Sequence, residues 1–134
     1  MKAKYLLDTV ILIDHLNGFD AATEWLSRLT PGEAAISVIT RAEVLVGTQP
    51  EELERVEGLL GQYRCFSPGP AVADRAAQMR RKNSWKLPDA FQAAVSEEQN
   101  LKLVTRNTRD FPPDRFDFVL VPYDFESADT DAEE

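Results

Sequence analysis

Short apolar segments alternate with longer amphipathic ones along most of this chain. Short runs rich in branched and aromatic apolar residues are typical of buried strands, and they cover residues 4–7, 34–38, 64–66, 101–105 and 118–121. Between these runs the apolar residues recur every three or four positions, which predicts helices over residues 10–16, 22–29, 41–47, 50–60, 72–83 and 88–99. This alternation predicts an α/β protein with a parallel sheet of four or five strands, covered by helices on both faces.

Residues at the ends of these segments support the assignment. The run over 10–16 could be a strand by its composition, but Asp8 and Thr9 directly before it are good helix-starting residues. Pro88 suits the first turn of the helix that it opens. The sequence Ser-Pro-Gly-Pro over residues 67–70 breaks the chain before the helix that follows.

A chain of 134 residues has the size of one domain, which we place over residues 1–124. Residues 125–134 are acidic and are predicted to form a disordered tail. No apolar stretch has the length needed to cross a membrane. The single cysteine, Cys65, has no intrachain partner, so we expect a reducing cytoplasm and a small core residue at this position.

The net charge of -8 argues against a nucleic-acid partner, because affinity for phosphates comes mainly from Lys and Arg. However, five of the eight excess negative charges lie in residues 126–134. The body of the chain also has two clusters of basic residues. One lies before Asp89 and the other surrounds Asp110: Arg75, Arg80, Arg81, Lys82 and Lys86, and Arg106, Arg109 and Arg115. Such groups are commonly solvated helix faces. The charge therefore leaves nucleic-acid binding open.

Four acidic residues stand where an apolar strand gives way to a turn or helix: Asp8, Glu43, Asp89 and Asp110. In a parallel sheet the ligand site lies beyond the carboxyl ends of the strands, so these side chains are expected to meet at one crevice. Converging carboxylates need a compensating cation. Oxygen ligands suit magnesium or manganese, and metal-assisted phosphodiester hydrolysis is the reaction class that fits.

Each acidic residue also has a structural interpretation. Asp8 can cap the first helix and Asp89 can be a favourable charge in a first helical turn, roles worth about 0.5 to 2 kcal/mol each. Asp110 can be an ordinary turn residue. Glu43 is the hardest to explain in this way, because it stands between apolar pairs in a segment otherwise suited to burial.

Together, these segments resemble the PIN-domain nucleases and, within them, the VapC-type toxins of toxin–antitoxin pairs. The resemblance extends from Tyr5 to Tyr123. Three of its motifs are Asp8-Thr9 in LLDTVILID, Glu43 in TRAEVLVG and Asp89 in LPDAFQAA. The closing motif consists of Thr105, Arg106, Asn107, Asp110 and Phe111. Four such strings in the family's order and spacing form a specific signal.

This resemblance implies a three-layer α/β/α sandwich and an endoribonuclease dependent on Mg²⁺ or Mn²⁺ that hydrolyses RNA with a metal-activated water. It implies that Asp8, Glu43 and Asp89 are the principal metal ligands and catalytic residues, with Asp110 completing the acidic set. Asn107 is a further candidate, at a position where some relatives carry aspartate. The resemblance also implies an RNA substrate, a VapB-like antitoxin partner and a homodimer.

The sequence departs from the family pattern at two places. Residues 83–86 stand where relatives often have a glycine, and the acidic tail is not part of the family pattern.

A PIN-like module that binds RNA or protein without cutting is the main alternative. Haloacid dehalogenases need an aspartate where Val10 stands, and receiver domains need a lysine where Arg106 stands. His15 is expected nearly two helical turns from the site.

Overall fold

The computed structural model describes residues 2–124, so the acidic tail predicted over residues 125–134 lies outside the described residues. The strands are β1 (Tyr5–Leu7), β2 (Ala34–Ser37), β3 (Arg64–Phe66), β4 (Lys102–Val104) and β5 (Val119–Leu120). The α-helices are α1 (Thr9–Leu16), α2 (Asp20–Ser27), α3 (Val38–Val46), α4 (Leu53–Leu60), α5 (Pro70–Asn83) and α6 (Leu87–Gln99). These elements confirm the predicted alternation of strands and helices.

The five strands form one parallel sheet in the order β3-β2-β1-β4-β5. The chain begins in the middle of the sheet, adds β2 and β3 on one side, and then crosses to add β4 and β5 on the other. The strand order therefore reverses between β1 and β4, where Leu7 pairs with Val104. A crevice at the carboxyl ends of these two strands is the expected ligand site of such a sheet.

Alternate side chains of the central strands point to opposite faces of the sheet and fill two separate cores. Leu6 and Leu103 belong to the core shared with α5 and α6. Leu7 and Val104 belong to the core shared with α1, α3 and α4. Helices therefore cover both faces, which gives the predicted three-layer α/β/α arrangement.

Two helices differ by three residues from the predicted boundaries: α4 begins at Leu53 because Pro50–Glu52 form a 3-10 turn, and α3 begins at Val38 instead of residue 41. Ser37 ends β2 and is also the N-cap of α3, and its hydroxyl accepts a hydrogen bond from the amide of Thr40 at 3.4 Å. The apolar residues Val38 and Ile39 extend the strand pattern in the sequence. The cap at Ser37 overrides that pattern, because a capping side chain satisfies an amide of the first helical turn.

Cys65 is exposed, so the expectation that it is a core residue was wrong. The residue lies on β3, which is an edge strand of the sheet. Among residues 2–124, no helix is both long enough and apolar enough to span a membrane.

Candidate active site

A crevice of about 570 Å³ opens at the carboxyl ends of the central strands. All four acidic residues singled out in the sequence line it: Asp8, Glu43, Asp89 and Asp110. Its wall also includes Asn107 and three basic residues, namely Lys86, Arg106 and Arg109. The predicted convergence is therefore present, on side chains that come from four separate segments of the chain.

Asp8 is held in one orientation from several directions. It follows β1 and caps α1, where its Oδ1 accepts a hydrogen bond from the amide of Thr9 at 2.9 Å. Thr105, directly after β4, donates its hydroxyl to Oδ2 at 2.7 Å. Asp8 is only 6% exposed, and burial raises its pKa above the usual value although these hydrogen bonds lower it. The helix-cap and functional interpretations of Asp8 are thus compatible.

A network of buried polar side chains also holds Asp8 in place. Gln92, on α6, donates from Nε2 to Asp8 Oδ1 at 3.3 Å and to Thr40 Oγ1 at 2.7 Å. Its Oε1 accepts a hydrogen bond from Ser37 Oγ at 2.7 Å. Gln92 is 1% exposed, so every polar atom of its amide needs these partners. The network connects the first strand to α3 and α6.

Sequence reasoning missed Gln92. The available signal was a polar residue three positions after Asp89, on a helical stretch that is otherwise mostly apolar. In a helix, residues three apart lie on the same face. A glutamine on the same face as an acidic site residue could have been noted as a supporting hydrogen-bond donor.

Glu43 lies on α3 and is exposed at the crevice, although the segment around it is apolar and suited to burial. The reason is the amphipathic character of α3, because Val44 takes the buried face while Glu43 takes the open one. Glu43 Oε1 accepts a hydrogen bond from Thr9 Oγ1 at 2.6 Å. The threonine that follows Asp8 therefore orients the second carboxylate of the crevice.

Asp89 lies in the first turn of α6 and is half-buried. Its pKa is raised from 3.8 to about 6, mainly by burial. The carboxylates of Asp8, Asp110 and Glu43 raise this pKa further, and Lys86 lowers it. Within residues 2–124 the Asp89 carboxylate accepts no hydrogen bond. It is the least compensated of the four carboxylates.

Asp110 and Asn107 form a small closed motif in the loop after β4. Asn107 Nδ2 donates to Asp110 Oδ2 at 2.9 Å, and the amide of Asp110 donates to Asn107 Oδ1 at 3.4 Å. The amide of Asn107 in turn donates to Thr105 Oγ1 at 3.1 Å, so the loop is tied to the hydroxyl that binds Asp8. Asn107 therefore orients Asp110.

Residues 83–86, which depart from the family pattern expected in the sequence, have a specific conformation. Ser84 adopts a left-handed backbone with φ of 58°, which glycine adopts at less cost. The next residue, Trp85, is buried and donates its indole N–H to the backbone oxygen of Asp110 at 2.9 Å. Its ring packs against Phe111, with ring centroids 4.8 Å apart. Trp85 therefore links this segment to the loop that carries Asp110.

The donor set of the crevice fits a hard divalent cation. All four side chains offer carboxylate oxygens, the ligands that magnesium and manganese prefer. Residues 2–124 contain no preassembled group of three acidic, histidine or cysteine side chains that could hold a metal ion. A wider spacing is compatible with magnesium, which usually needs only one or two direct carboxylates because it keeps several waters.

His15 does not line the crevice, as its position along α1 predicted. Its Nδ1 lies 2.8 Å from Thr23 Oγ1, a residue of α2. The histidine therefore connects α1 to α2 outside the crevice.

Comparison with known proteins finds one family and several relatives. The PIN domain family matches residues 5–117. Ribonuclease VapC10 of Mycobacterium tuberculosis is 37% identical over 113 residues, which cover 80% of this chain and 85% of that protein. Ribonuclease VapC19 of the same organism is 31% identical over 114 residues, which cover 80% of this chain and 91% of that protein. A structure described as a toxin-antitoxin complex from Klebsiella pneumoniae superposes with a TM-score of 0.83 at 34% identity, covering 91% of this chain and all of the matched chain.

The raised pKa of Asp89 predicts how the metal-free protein responds to pH. Because the folded-state pKa of about 6 exceeds the unfolded value of 3.8, the shift favours folding below pH 4, and that contribution is lost as pH rises through 6. We expect Asp89→Asn to raise the free energy of unfolding by about 1 kcal/mol at pH 8. This is less than the full pKa shift would give, because the carboxyl is half-exposed and solvent screens its interactions. The difference should vanish near pH 4.

Urea unfolding in EDTA at several values between pH 4 and 8 measures this effect. Asp74→Asn is a matched control, because Asp74 is exposed on α5 and does not line the crevice. An Asp89→Asn protein that is less stable than the wild type at pH 8, or a difference that does not change with pH, would contradict the assignment.

Proposed function

The chain belongs to the PIN-domain family, and from this premise we propose that it is an endoribonuclease that hydrolyses RNA phosphodiester bonds as the toxin of a toxin–antitoxin pair. Two relatives that are at least 31% identical are named ribonucleases. A solved relative at 34% identity is described as a toxin-antitoxin complex. These similarities support both parts of the proposal.

The observation that carries this proposal is the convergence of four carboxylates in one crevice, of which Asp89 accepts no hydrogen bond within the described residues. The pKa of Asp89 is raised mainly by burial and further by the carboxylates of Asp8, Asp110 and Glu43. Structural carboxylates are normally paired with a cation or with hydrogen-bond donors. An arrangement that costs stability in the metal-free protein is expected where a ligand restores the balance.

We assign Mg²⁺ or Mn²⁺ to this crevice, with Asp8, Glu43 and Asp89 as principal ligands and Asp110 completing the set. When bound, such an ion lowers the pKa of a coordinated water and polarises a phosphoryl group. The surrounding residues set the geometry. Asp8 is fixed by Thr105 and the buried amide network.

Two of the remaining ligands, Glu43 and Asp110, are oriented by neighbours that do not themselves carry charge. Thr9 orients Glu43, and Asn107 orients Asp110. Ligand-orienting hydrogen bonds of this kind contribute to metal affinity and activity, and their loss typically costs about 10- to 100-fold. Asn107 is therefore proposed to support the site through Asp110.

The proposal predicts RNA cleavage that requires an added divalent metal. Asp8→Asn and Asp89→Asn should each lower kcat/KM on RNA by on the order of 100-fold or more, because losing a ligand should cost at least as much as losing a residue that orients one. Cleavage of end-labelled RNA with Mg²⁺, Mn²⁺ or EDTA measures this. Circular dichroism and urea unfolding verify that each variant is folded.

Asp74→Asn serves again as the control and should cut RNA at the wild-type rate. Cleavage that persists undiminished in EDTA would contradict the proposal. If the pure, metal-loaded protein cuts no RNA of any class, the alternative of a non-catalytic RNA- or protein-binding PIN-like module would replace it.

We also propose that the chain forms a homodimer and is inhibited by a VapB-like antitoxin. Light scattering of the purified chain should give twice the mass of one chain. Co-expression with the product of an adjacent short reading frame should yield a stable complex that no longer cuts RNA. A monomer in solution would overturn the dimer, and an adjacent product that neither binds nor inhibits would overturn the antitoxin assignment.

A further inference from the structure

A buried ionic network lies beside the crevice and is not used by the metal site proposed above. Asp14, on α1, is 5% exposed and accepts hydrogen bonds from Arg106 Nε at 2.6 Å and Arg106 Nη2 at 2.9 Å. The same carboxylate accepts a hydrogen bond from the hydroxyl of Tyr123 at 2.8 Å. The three residues come from α1, from the loop after β4 and from the segment after β5.

Stability alone is a weak reason for this network. The cost of removing a carboxylate and a guanidinium from water often equals or exceeds what their pairing returns, and apolar residues of similar volume can do as well. What the network does provide is a guanidinium in a defined position. A bidentate contact between arginine and a carboxylate fixes both the location and the plane of the group.

The guanidinium is fixed at the edge of the acidic crevice. Arg106 lines the crevice together with Asp8, Asp89 and Asp110. Its side chain is 25% exposed, whereas that of Arg109, another cation on the wall, is 90% exposed. Among the cations that line the crevice in the described residues, Arg106 is the one bound to a buried carboxylate.

On the premise of the proposed ribonuclease function, we propose that Arg106 binds a backbone phosphate of the RNA strand at the edge of the crevice. Asp14 and Tyr123 are positioning residues that hold the guanidinium for this contact. A guanidinium has five N–H donors in one plane, so it can bind a carboxylate along one edge and a phosphate along another.

The chemistry of the surroundings favours a phosphate over other ligands. An acidic crevice repels the negatively charged RNA strand, so a cation held at its edge offsets this repulsion without competing for the metal position. A cation already held in place loses little side-chain entropy when the strand binds. Arginine is also the side chain whose donor geometry matches phosphate oxygens.

Tyr123 is suited to its positioning role. Burial and the Asp14 carboxylate raise the pKa of its phenol above the usual value, so the hydroxyl keeps its proton and donates it to Asp14. Its ring also packs on Phe19, with ring centroids 5.5 Å apart. Asp14 is thereby held by a donor that does not change its charge near neutral pH.

The test compares Arg106→Gln with Arg75→Gln. Arg75 makes the same bidentate contact with Glu97, but on the surface and away from the crevice, which makes it a matched control. We expect Arg106→Gln to lower kcat/KM on single-stranded RNA by about 10- to 100-fold, mainly through KM, as loss of a charged hydrogen bond predicts. Arg75→Gln should leave it unchanged.

Salt dependence separates phosphate binding from a purely structural role. Binding of a fluorescent single-stranded RNA in EDTA is measured as a function of salt concentration. Loss of one phosphate contact should reduce the slope of log K against log salt by about 0.7. Arg106→Lys should keep the slope and recover part of kcat/KM, since it retains the charge but not the planar fork.

A double-mutant cycle between Asp14 and Arg106 tests the positioning role. Asp14→Asn should keep the salt slope but lower kcat/KM by about 10-fold, and this effect should disappear in the Arg106→Gln background. Tyr123→Phe should act in the same direction by a smaller factor. A folded Arg106→Gln protein with wild-type kcat/KM and salt slope would overturn the phosphate contact. Additive effects of Asp14→Asn and Arg106→Gln would overturn the positioning role.

These outcomes remain distinct from failure of the proposed function. If the wild type cuts no RNA, the ribonuclease proposal fails, but the binding experiment in EDTA still reports on Arg106. If Arg106→Gln does not fold, Arg106→Lys and Tyr123→Phe decide instead. A folded Arg106→Lys protein with wild-type kcat/KM, together with an unaffected Tyr123→Phe protein, would overturn the inference.

Discussion

The burial of the Asp8 carboxylate is the constraint on which the rest of this structure depends. A carboxylate at 6% exposure is tolerated only if donors surround it, and here they come from the start of α1, the end of β4 and the middle of α6. Meeting that requirement places β4 beside β1 and turns the Gln92 face of α6 toward the first strand. The same contacts bring the first turn of α6, with Asp89, to the crevice.

The proposed metal chemistry depends on this arrangement around Asp8. The sheet reverses its strand order next to Asp8, which creates the crevice. Amphipathic α3 turns Glu43 toward it, and the loop after β4 adds Asp110. Packing and hydrogen bonds stabilise the buried Asp8 carboxylate, whereas Asp89 keeps a raised pKa, caused mainly by burial and further by the other three carboxylates. A hard divalent cation is the partner that we propose for these oxygen atoms.

Much of this could be predicted from the sequence, because it depends on local signals. Strand and helix positions follow from periodicity, and the capping role of Asp8 follows from its place before an apolar run. The contacts that support the site could not be predicted. Gln92 reaches Asp8 over a separation of 84 residues, and Tyr123 reaches Asp14 over 109. Nothing in local composition specifies such pairs. Cys65 was misassigned for a similar reason, since only the strand order reveals that β3 is an edge.

The most direct test of the central claim is the anomalous scattering of manganese in a crystal of the wild-type protein. We expect a manganese peak in the crevice, coordinated by oxygen atoms of at least one of Asp8, Glu43, Asp89 and Asp110, and no such peak in Asp8→Asn crystals treated identically. A wild-type crystal that holds no manganese at these carboxylates, from protein that nevertheless cleaves RNA, would show that the crevice is not the metal site.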